Sequence, residues 1–480
     1  MSLEDLKRKS SVALSWDLLG LIASKGSSFI ISIFLARLLS PEEFGLVGMA
    51  SVFIVVFQVF GDVGFSTALI QKKDIDNLAY DSVFYFNVFG GGLLFILFYF
   101  ISPFIGDFYN RPEVVSIIRW LSISFLLNSL NQVQTALLTK KLNFKVLTIR
   151  NIASTLFGGI LGVIAALNHY GVYALVIQSL ASTLMRTILL WSISTWKPSW
   201  RFSRKELMGL TNFSLYVFFD RLISTIFRKL DVILVAKIFS ASSLGFYSRA
   251  VSLKDQVTTY SSTSIQKVFF PVLSSIQDDK ERFESVYYKV LSVVLFLTFL
   301  LSGILFVLGE EIIINLFGEK WSPSVPLFEV LILGVCVYPL NAMMINALMS
   351  QGFSKENFKV GLIRKAIQLA PLAIAYYYGL YLFTVSYVCA SYLATFVNIY
   401  FLEKYAGFSI KKHILKLTHH GLLLILLVLF VHYFGINNGT AKFVLTLIYV
   451  ILYYSYHKIF KSEGLLFLEQ NVMDKLIKRK

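Results

Sequence analysis

Five charged residues interrupt one apolar run: Asp220, Arg221, Arg228, Lys229 and Asp231 all fall in the stretch that begins near Met208. A charge at the centre of a spanning helix costs about 2.5 to 3.5 kcal/mol, so five cost about 12 to 17 kcal/mol. The roughly fifteen apolar neighbours return only about 5 to 9 kcal/mol. At 100° per residue Asp220, Arg221, Ser224, Arg228 and Asp231 share one sector, which must face a partner helix or water. The next helix places Arg249, Gln256, Tyr260, Thr263, Ser264 and Lys267 on one face, with Lys254 and Asp255 off that stripe. Near the N-terminus, Asp17, Ser24, Lys25, Ser28 and Ser32 align on the first helix, and Gln58 and Asp62 share a side of the second.

The chemistry these residues suit is anion binding. Lys25, Arg221, Arg228, Lys229, Arg249, Lys254 and Lys267 outnumber Asp17, Asp62, Asp220, Asp231 and Asp255. Arginine and lysine hold phosphate oxygens through charge-assisted hydrogen bonds that strengthen where water is partly excluded. The carboxylates Asp17, Asp62, Asp220 and Asp231 have two readings: pairing with the cations, as Arg228 with Asp231 three residues on, or taking a coupling proton or sodium ion. Beyond such an ion no cofactor is expected.

The elements that must position these charges are membrane-spanning helices. The chain has 480 residues, 56% hydrophobic and 15% charged, with a mean hydropathy of +0.69, too apolar for a soluble protein of this length. Runs long enough to cross a core of about 30 Å recur roughly fourteen times. They are twice the length of barrel strands and apolar on most sides, so the predicted class is all-α, a polytopic membrane protein. Basic residues crowd alternate loops, among them Lys140, Lys141 and Lys145, then Lys197, Arg201, Arg204 and Lys205. The opposite loops carry only scattered cations such as Arg37, Arg111, Lys237, Lys320 and Lys442. The positive-inside rule therefore puts both termini in the cytoplasm. This bias accounts for most of the +16 net charge, so nucleic acid is not an expected partner. Membrane lipids are.

The chain also repeats itself. Leu35 to Ala50 reads in register with Val235 to Ala250, matching Ser40 to Ser240 and Gly45 to Gly245, and NFKVLTIR at Asn143 to Arg150 recurs as NFKVGLIR at Asn357 to Arg364. Six helices separate the starts of the copies, which predicts two parallel six-helix lobes, the architecture of a transporter with its substrate site at the seam. The expected divisions are an N-terminal lobe over 1–196, a cytoplasmic linker over 197–206, a second lobe over 207–402, and two extra helices with a basic tail over 403–480. Gly90, Gly91 and Gly92 read as close helix packing, and Pro371 as a helix end or kink. Cys336 and Cys389 offer neither a disulfide framework nor a metal site. No phosphate-binding G-x-x-x-x-G-K-[ST] loop occurs, and no loop is long enough to fold as a catalytic domain, so an enzyme is not expected.

Four stretches carry a family resemblance: FGDVGFSTALIQKKD (Phe60 to Asp74), FRKLDVILVAKIFSASSLGFYSRA (Phe227 to Ala250), KVFFPVLSSIQDD (Lys267 to Asp279) and FGEKWSPSVPLFEVL (Phe317 to Leu331). In these the chain resembles the lipopolysaccharide O-antigen and capsule flippases of the multidrug, oligosaccharidyl-lipid and polysaccharide exporter superfamily, in the branch of colanic-acid and teichuronic-acid exporters. The resemblance implies movement of an undecaprenyl-pyrophosphate-linked oligosaccharide across a bacterial inner (plasma) membrane, with a basic cavity holding the pyrophosphate and sugar. It implies Arg228, Asp231 and Arg249 as matching positions, with Lys25 supported by placement alone. Glycosyltransferases and a glycan polymerase are the protein partners it suggests. The competing expectation is a multidrug or toxic-compound cation antiporter of the same superfamily, which favours an acidic or apolar pocket.

Overall fold

The computed structural model describes the backbone of residues 3–72, 75–436 and 438–469, and within these the side chains outside 3–15, 17–18 and 260–268. The described residues contain helices and loops with no strand. They form two compact units, 1–245 and 246–480.

The first unit contains α1 (Leu3–Leu38), α2 (Pro41–Gln58), α3 (Phe65–Gln71), α4 (Asn77–Tyr109), α5 (Glu113–Leu121), α6 (Ile123–Ser129), α7 (Gln132–Lys140), α8 (Phe144–Leu167), α9 (Tyr173–Ile193) and α10 (Arg204–Ile238). It ends as α11 (Ala241–Ser275) begins. The start of α2 is set locally: Ser40 accepts from Glu43 N at 3.3 Å, the Glu43 carboxylate accepts from Ser40 N at 2.6 Å, and Pro41 occupies the first turn. This reciprocal cap satisfies two of the amides a helix start leaves open. The repeat keeps the device, since Ser240 Oγ accepts from Ser243 N at 3.1 Å at the head of α11.

Packing in this unit depends on small residues. In α8, added methyls at Gly158 and Gly162 would collide with Ser182 and Gln178 of α9, and one at Gly159 with Ile31 of α1. Backbones that approach this closely replace the hydrophobic drive that lipid does not provide. Of the three consecutive glycines in α4 only Gly91 is pressed: a Cβ there would lie 2.8 Å from Phe125 O and Ser129 Cβ, whereas one at Gly90 would meet nothing within 4 Å. The segment 197–206 is tied to α4: Ser199 N and Oγ donate to buried Asp81, Ser203 N donates to Ser82 Oγ at 2.8 Å, and Trp200 stacks on Tyr85.

The second unit continues with α12 (Lys280–Val307), α13 (Gly309–Phe317), α14 (Val325–Gly334), α15 (Val337–Ser350), α16 (Ser354–Leu369), α17 (Pro371–Ala406), α18 (Ile410–Phe434) and α19 (Gly439–Ile459). Helix α12 is its axis, and its buried face joins Tyr287, Leu291, Leu295 and Phe299 to one cluster. The last two helices are pinned to it by polar bonds as well as by apolar area. Tyr449 and Tyr453 of α19 donate to Phe299 O and Phe296 O at 3.0 and 3.1 Å, and Tyr287 bonds His413 Nε2 of α18 at 3.0 Å. His420 and His457 are buried and stack at 4.6 Å between α18 and α19.

Among the described residues ten helical stretches are long and apolar enough to cross a membrane, and the bent pair from Glu113 to Lys140 makes eleven. The multi-pass, all-α class read from the sequence is therefore the observed one, and fourteen crossings are compatible with it. Helices α10 and α11 have 35 residues each, ample for a span, but their charges lower their apolarity. The stretch from Ser354 to Ala406 has 53 residues, about 80 Å of helix, far beyond one bilayer core. Pro371 opens α17 rather than bending it; the break within that helix is at Gly379, with φ 85°, a conformation that glycine adopts without steric cost.

Candidate functional site

Helix α10 buries one stripe and exposes another. Leu210, Ser214, Phe218 and Thr225 turn inward at helical spacing, while Asp220, Arg221 and Arg228 are exposed and Lys229 and Asp231 half-buried. Within the charged sector predicted from the sequence, Asp220, Arg221 and Arg228 are therefore exposed, while Ser224 and Asp231 are half-buried. Arg221 is held in place: Nη1 meets Asp62 Oδ2 at 3.4 Å and Nη2 donates to Thr67 Oγ1 at 2.8 Å. Arg228 donates to Thr225 Oγ1 at 3.3 Å, one turn back on its own helix, rather than to Asp231. Lys25 stands exposed on α1. The side chains of Asp17 and Lys267 lie outside the described residues.

Asp62 occupies a different local structure from the one its spacing suggests. Helix α2 stops at Gln58, a single 3-10 turn covers Val59–Gly61, and Gly64 takes φ 80°. Asp62 Oδ1 then accepts from Ser66 N at 2.9 Å and Ser66 Oγ at 2.6 Å at the start of α3. Gln58 and Asp62 are thus not two positions of one helix face. The break has a packing reason, because a Cβ at Gly64 would meet Ser214 O of α10 at 2.5 Å. The result turns the Asp62 carboxylate toward Arg221, where its second oxygen orients the guanidinium.

In the second unit Arg249 is 5% exposed and packs against two rings set edge to face, with Cζ 4.6 Å from the Phe317 centroid and 4.7 Å from that of Trp321. Both rings are fully buried. A guanidinium this close to two rings is attracted by both aromatic quadrupoles. Lys254, 8% exposed, pairs with Asp255 at 2.8 Å and stands 5.2 Å over Tyr338. In chemical terms, the exposed cations of α10 can grip an oxyanion directly, whereas Arg249 and Lys254 are braced within their own unit.

Sequence reasoning passed over three arginines that the fold partly buries: Arg150 on α8, Arg186 on α9 and Arg364 on α16. A signal was present, since Arg150 and Arg364 end the two matching octapeptides.

A family model described as "Polysaccharide biosynthesis protein" matches residues 34–326. The lipopolysaccharide biosynthesis protein WzxC of Escherichia coli (strain K12) is 26% identical over 330 residues, 68% of this chain and 67% of that protein. Among solved structures, the lipid II flippase MurJ in an inward closed conformation is similar with a TM-score of 0.72 at 18% identity, over 92% of this chain and 98% of its own. An inward-facing multidrug resistance MATE transporter of the MOP superfamily is similar with a TM-score of 0.63 at 13% identity, over 81% and 97%. At these identities the two structures establish the fold, a membrane-transporter fold of many helices, and the family match reaches further. Extending over most of the chain, it shows that this protein belongs to the polysaccharide biosynthesis family of membrane exporters.

Proposed function

We propose that this protein is a lipid-linked oligosaccharide flippase, carrying undecaprenyl-pyrophosphate-linked repeat units across the bacterial inner membrane by alternating access, with both termini in the cytoplasm. The observation that carries the reading is the exposed stripe on α10, where Arg221 and Arg228 stand in the middle of an apolar helix. Unaided passage would bury many hydroxyls and a pyrophosphate in hydrocarbon, at several kcal/mol for each unsatisfied group. A wet cationic face lowers that barrier by substituting charge-assisted hydrogen bonds for water. Asp62 and Thr67 keep Arg221 extended for this task. Glycosyltransferases that build the unit and a polymerase that consumes it are the partners this function implies.

The fold is shared with a multidrug transporter, so the experiment must separate the two activities. In reconstituted vesicles holding a fluorescent lipid-linked oligosaccharide, the wild-type protein should move label between leaflets, and Arg221→Ala with Arg228→Ala should slow this at least about tenfold. That figure follows from one lost charge-assisted bond of about 1.5 to 3 kcal/mol. An unchanged rate in the double variant would reject the α10 face. Extrusion of cationic dyes without movement of the lipid would favour the antiporter.

A further inference from the structure

Two arginines lie on the packed helices α8 and α9 of the first unit, and among the described residues no acid pairs with either. Arg150, 6% exposed, donates through Nη1 to Thr135 Oγ1 at 3.1 Å and through Nε and Nη2 to Asn151 Oδ1 at 3.3 and 3.0 Å. Arg186 of α9 precedes Thr187, which accepts from Asn131 Nδ2, while Asn131 O accepts from the same Thr135 hydroxyl that meets Arg150; the Arg186 Nε is buried with no protein partner. Among the described residues neither guanidinium has a carboxylate within ion-pair distance. Each guanidinium has five N–H donors, so the bonds described leave part of Arg150's fork and all of Arg186's to other use.

The two side chains sit at one depth. Arg150 lies about 9 Å past the start of α8, and Arg186 about 10 Å short of the end of α9. The segments next to these helix ends carry Lys140, Lys141 and Lys145 before α8 and at its start, and Lys197 and Arg201 after α9. The described surroundings are polar: Asn131 Nδ2 donates to Thr187 Oγ1 at 2.8 Å, and the amide of buried Gln134 has no protein partner.

The internal repeat separates this feature from general architecture. The second unit has the same bond, Asn341 Nδ2 to Thr395 Oγ1 at 2.9 Å, and Arg364 matches Arg150. The residue before Thr187 is Arg186, yet the residue before Thr395 is Ala394. Only the first unit gained the second arginine. Packing that the repeat achieves with alanine does not require a like-charged neighbour.

We propose that Arg150 and Arg186 form a binding site for a phosphate-type oxyanion in the first unit, separate from the α10 face, with Thr135 and Asn151 orienting Arg150. The oxyanion supplies a negative charge that no described residue provides and takes the open guanidinium edges in bidentate fashion. The site is independent of the oligosaccharide reading, because its ligand is defined by the phosphate alone.

The test uses the full chain purified in detergent, with sodium pyrophosphate and inorganic phosphate as probes against sodium chloride at matched ionic strength. A parallel set in nanodiscs compares phosphatidic acid with phosphatidylcholine. The wild-type unfolding temperature should climb with oxyanion concentration, as expected for a ligand that binds only the folded state. Arg186→Gln should raise the concentration for half effect at least about tenfold, Arg186→Lys should recover part of it, and Arg364→Gln should respond like wild type. A response to the soluble salts identifies a free anion and a response to phosphatidic acid alone a headgroup; either supports the site. No wild-type response to any probe, or an equal response in Arg186→Gln, would overturn it, as would a response that disappears in Arg221→Ala with Arg228→Ala, which would assign the anion to the α10 face.

Discussion

Arg249→Ala is expected to destabilise the protein by about 2 to 4 kcal/mol, since a desolvated cation–π contact contributes about 2 kcal/mol and Arg249 makes two. Its Cζ stands 4.6 and 4.7 Å from the Phe317 and Trp321 centroids, and truncation would also leave space beneath two rings that are fully buried. Arg249→Lys should recover less than half of the loss, because an ammonium is a compact, strongly hydrated point charge that is costlier to bury than a guanidinium. Arg228→Ala provides the contrast: the side chain is exposed and makes one hydrogen bond at 3.3 Å, so its removal should cost no more than about 0.5 kcal/mol. Unfolding free energies of purified protein in detergent check all three. If Arg249→Ala lies within about 0.5 kcal/mol of wild type, the aromatic clamp contributes nothing to the fold.

This contrast shows what periodicity conveys and what it leaves out. The charges of α10 and α11 were legible because five ionised groups in one apolar run exceed what lipid tolerates, and their shared sector follows from 100° per residue. Periodicity does not distinguish an exposed arginine from one clamped between rings, since Phe317 and Trp321 are more than sixty residues away from Arg249 in the chain. Arg150 and Arg186 were harder to notice. A single cation in a helix costs about 3 kcal/mol and leaves the span apolar, so each looks tolerable alone, and only the packing of α8 on α9 brings them together. Asp62 is a third case. The segment FGDVGF holds two glycines within four residues, a break signal outweighed by the apolar run before it. The Ser40 and Ser240 match read from the repeat has a local meaning in the structure, since each hydroxyl caps its helix.

The repeat makes its strongest structural demand at two glycines. A Cβ on Gly45 would lie 1.8 Å from Ala241 O, and one on Gly245 would lie 2.0 Å from Pro41 O. The heads of α2 and α11 thus press backbone against backbone at positions that match in the two copies, and carbonyl oxygens cannot rotate away as a side-chain tip can. Gly45→Ala and Gly245→Ala should each cost about 1 to 3 kcal/mol through overpacking. The pair should not be additive. Either alanine forces the same two helix heads apart, and once they are apart the second methyl meets little, so the double variant should fall short of the summed cost by about 1 kcal/mol or more. Gly90→Ala, with nothing within 4 Å, should be neutral or gain up to about 1 kcal/mol from helix propensity. A double-mutant cycle on unfolding free energy measures the coupling. Additive costs would mean that the two glycines answer to separate neighbours, and the matched contact between the repeats would lose its mechanical meaning. A coupled loss accompanied by slower lipid movement would instead show that the close approach belongs to a conformation the transport cycle must visit, because a substitution that disfavours one state shifts the population away from it.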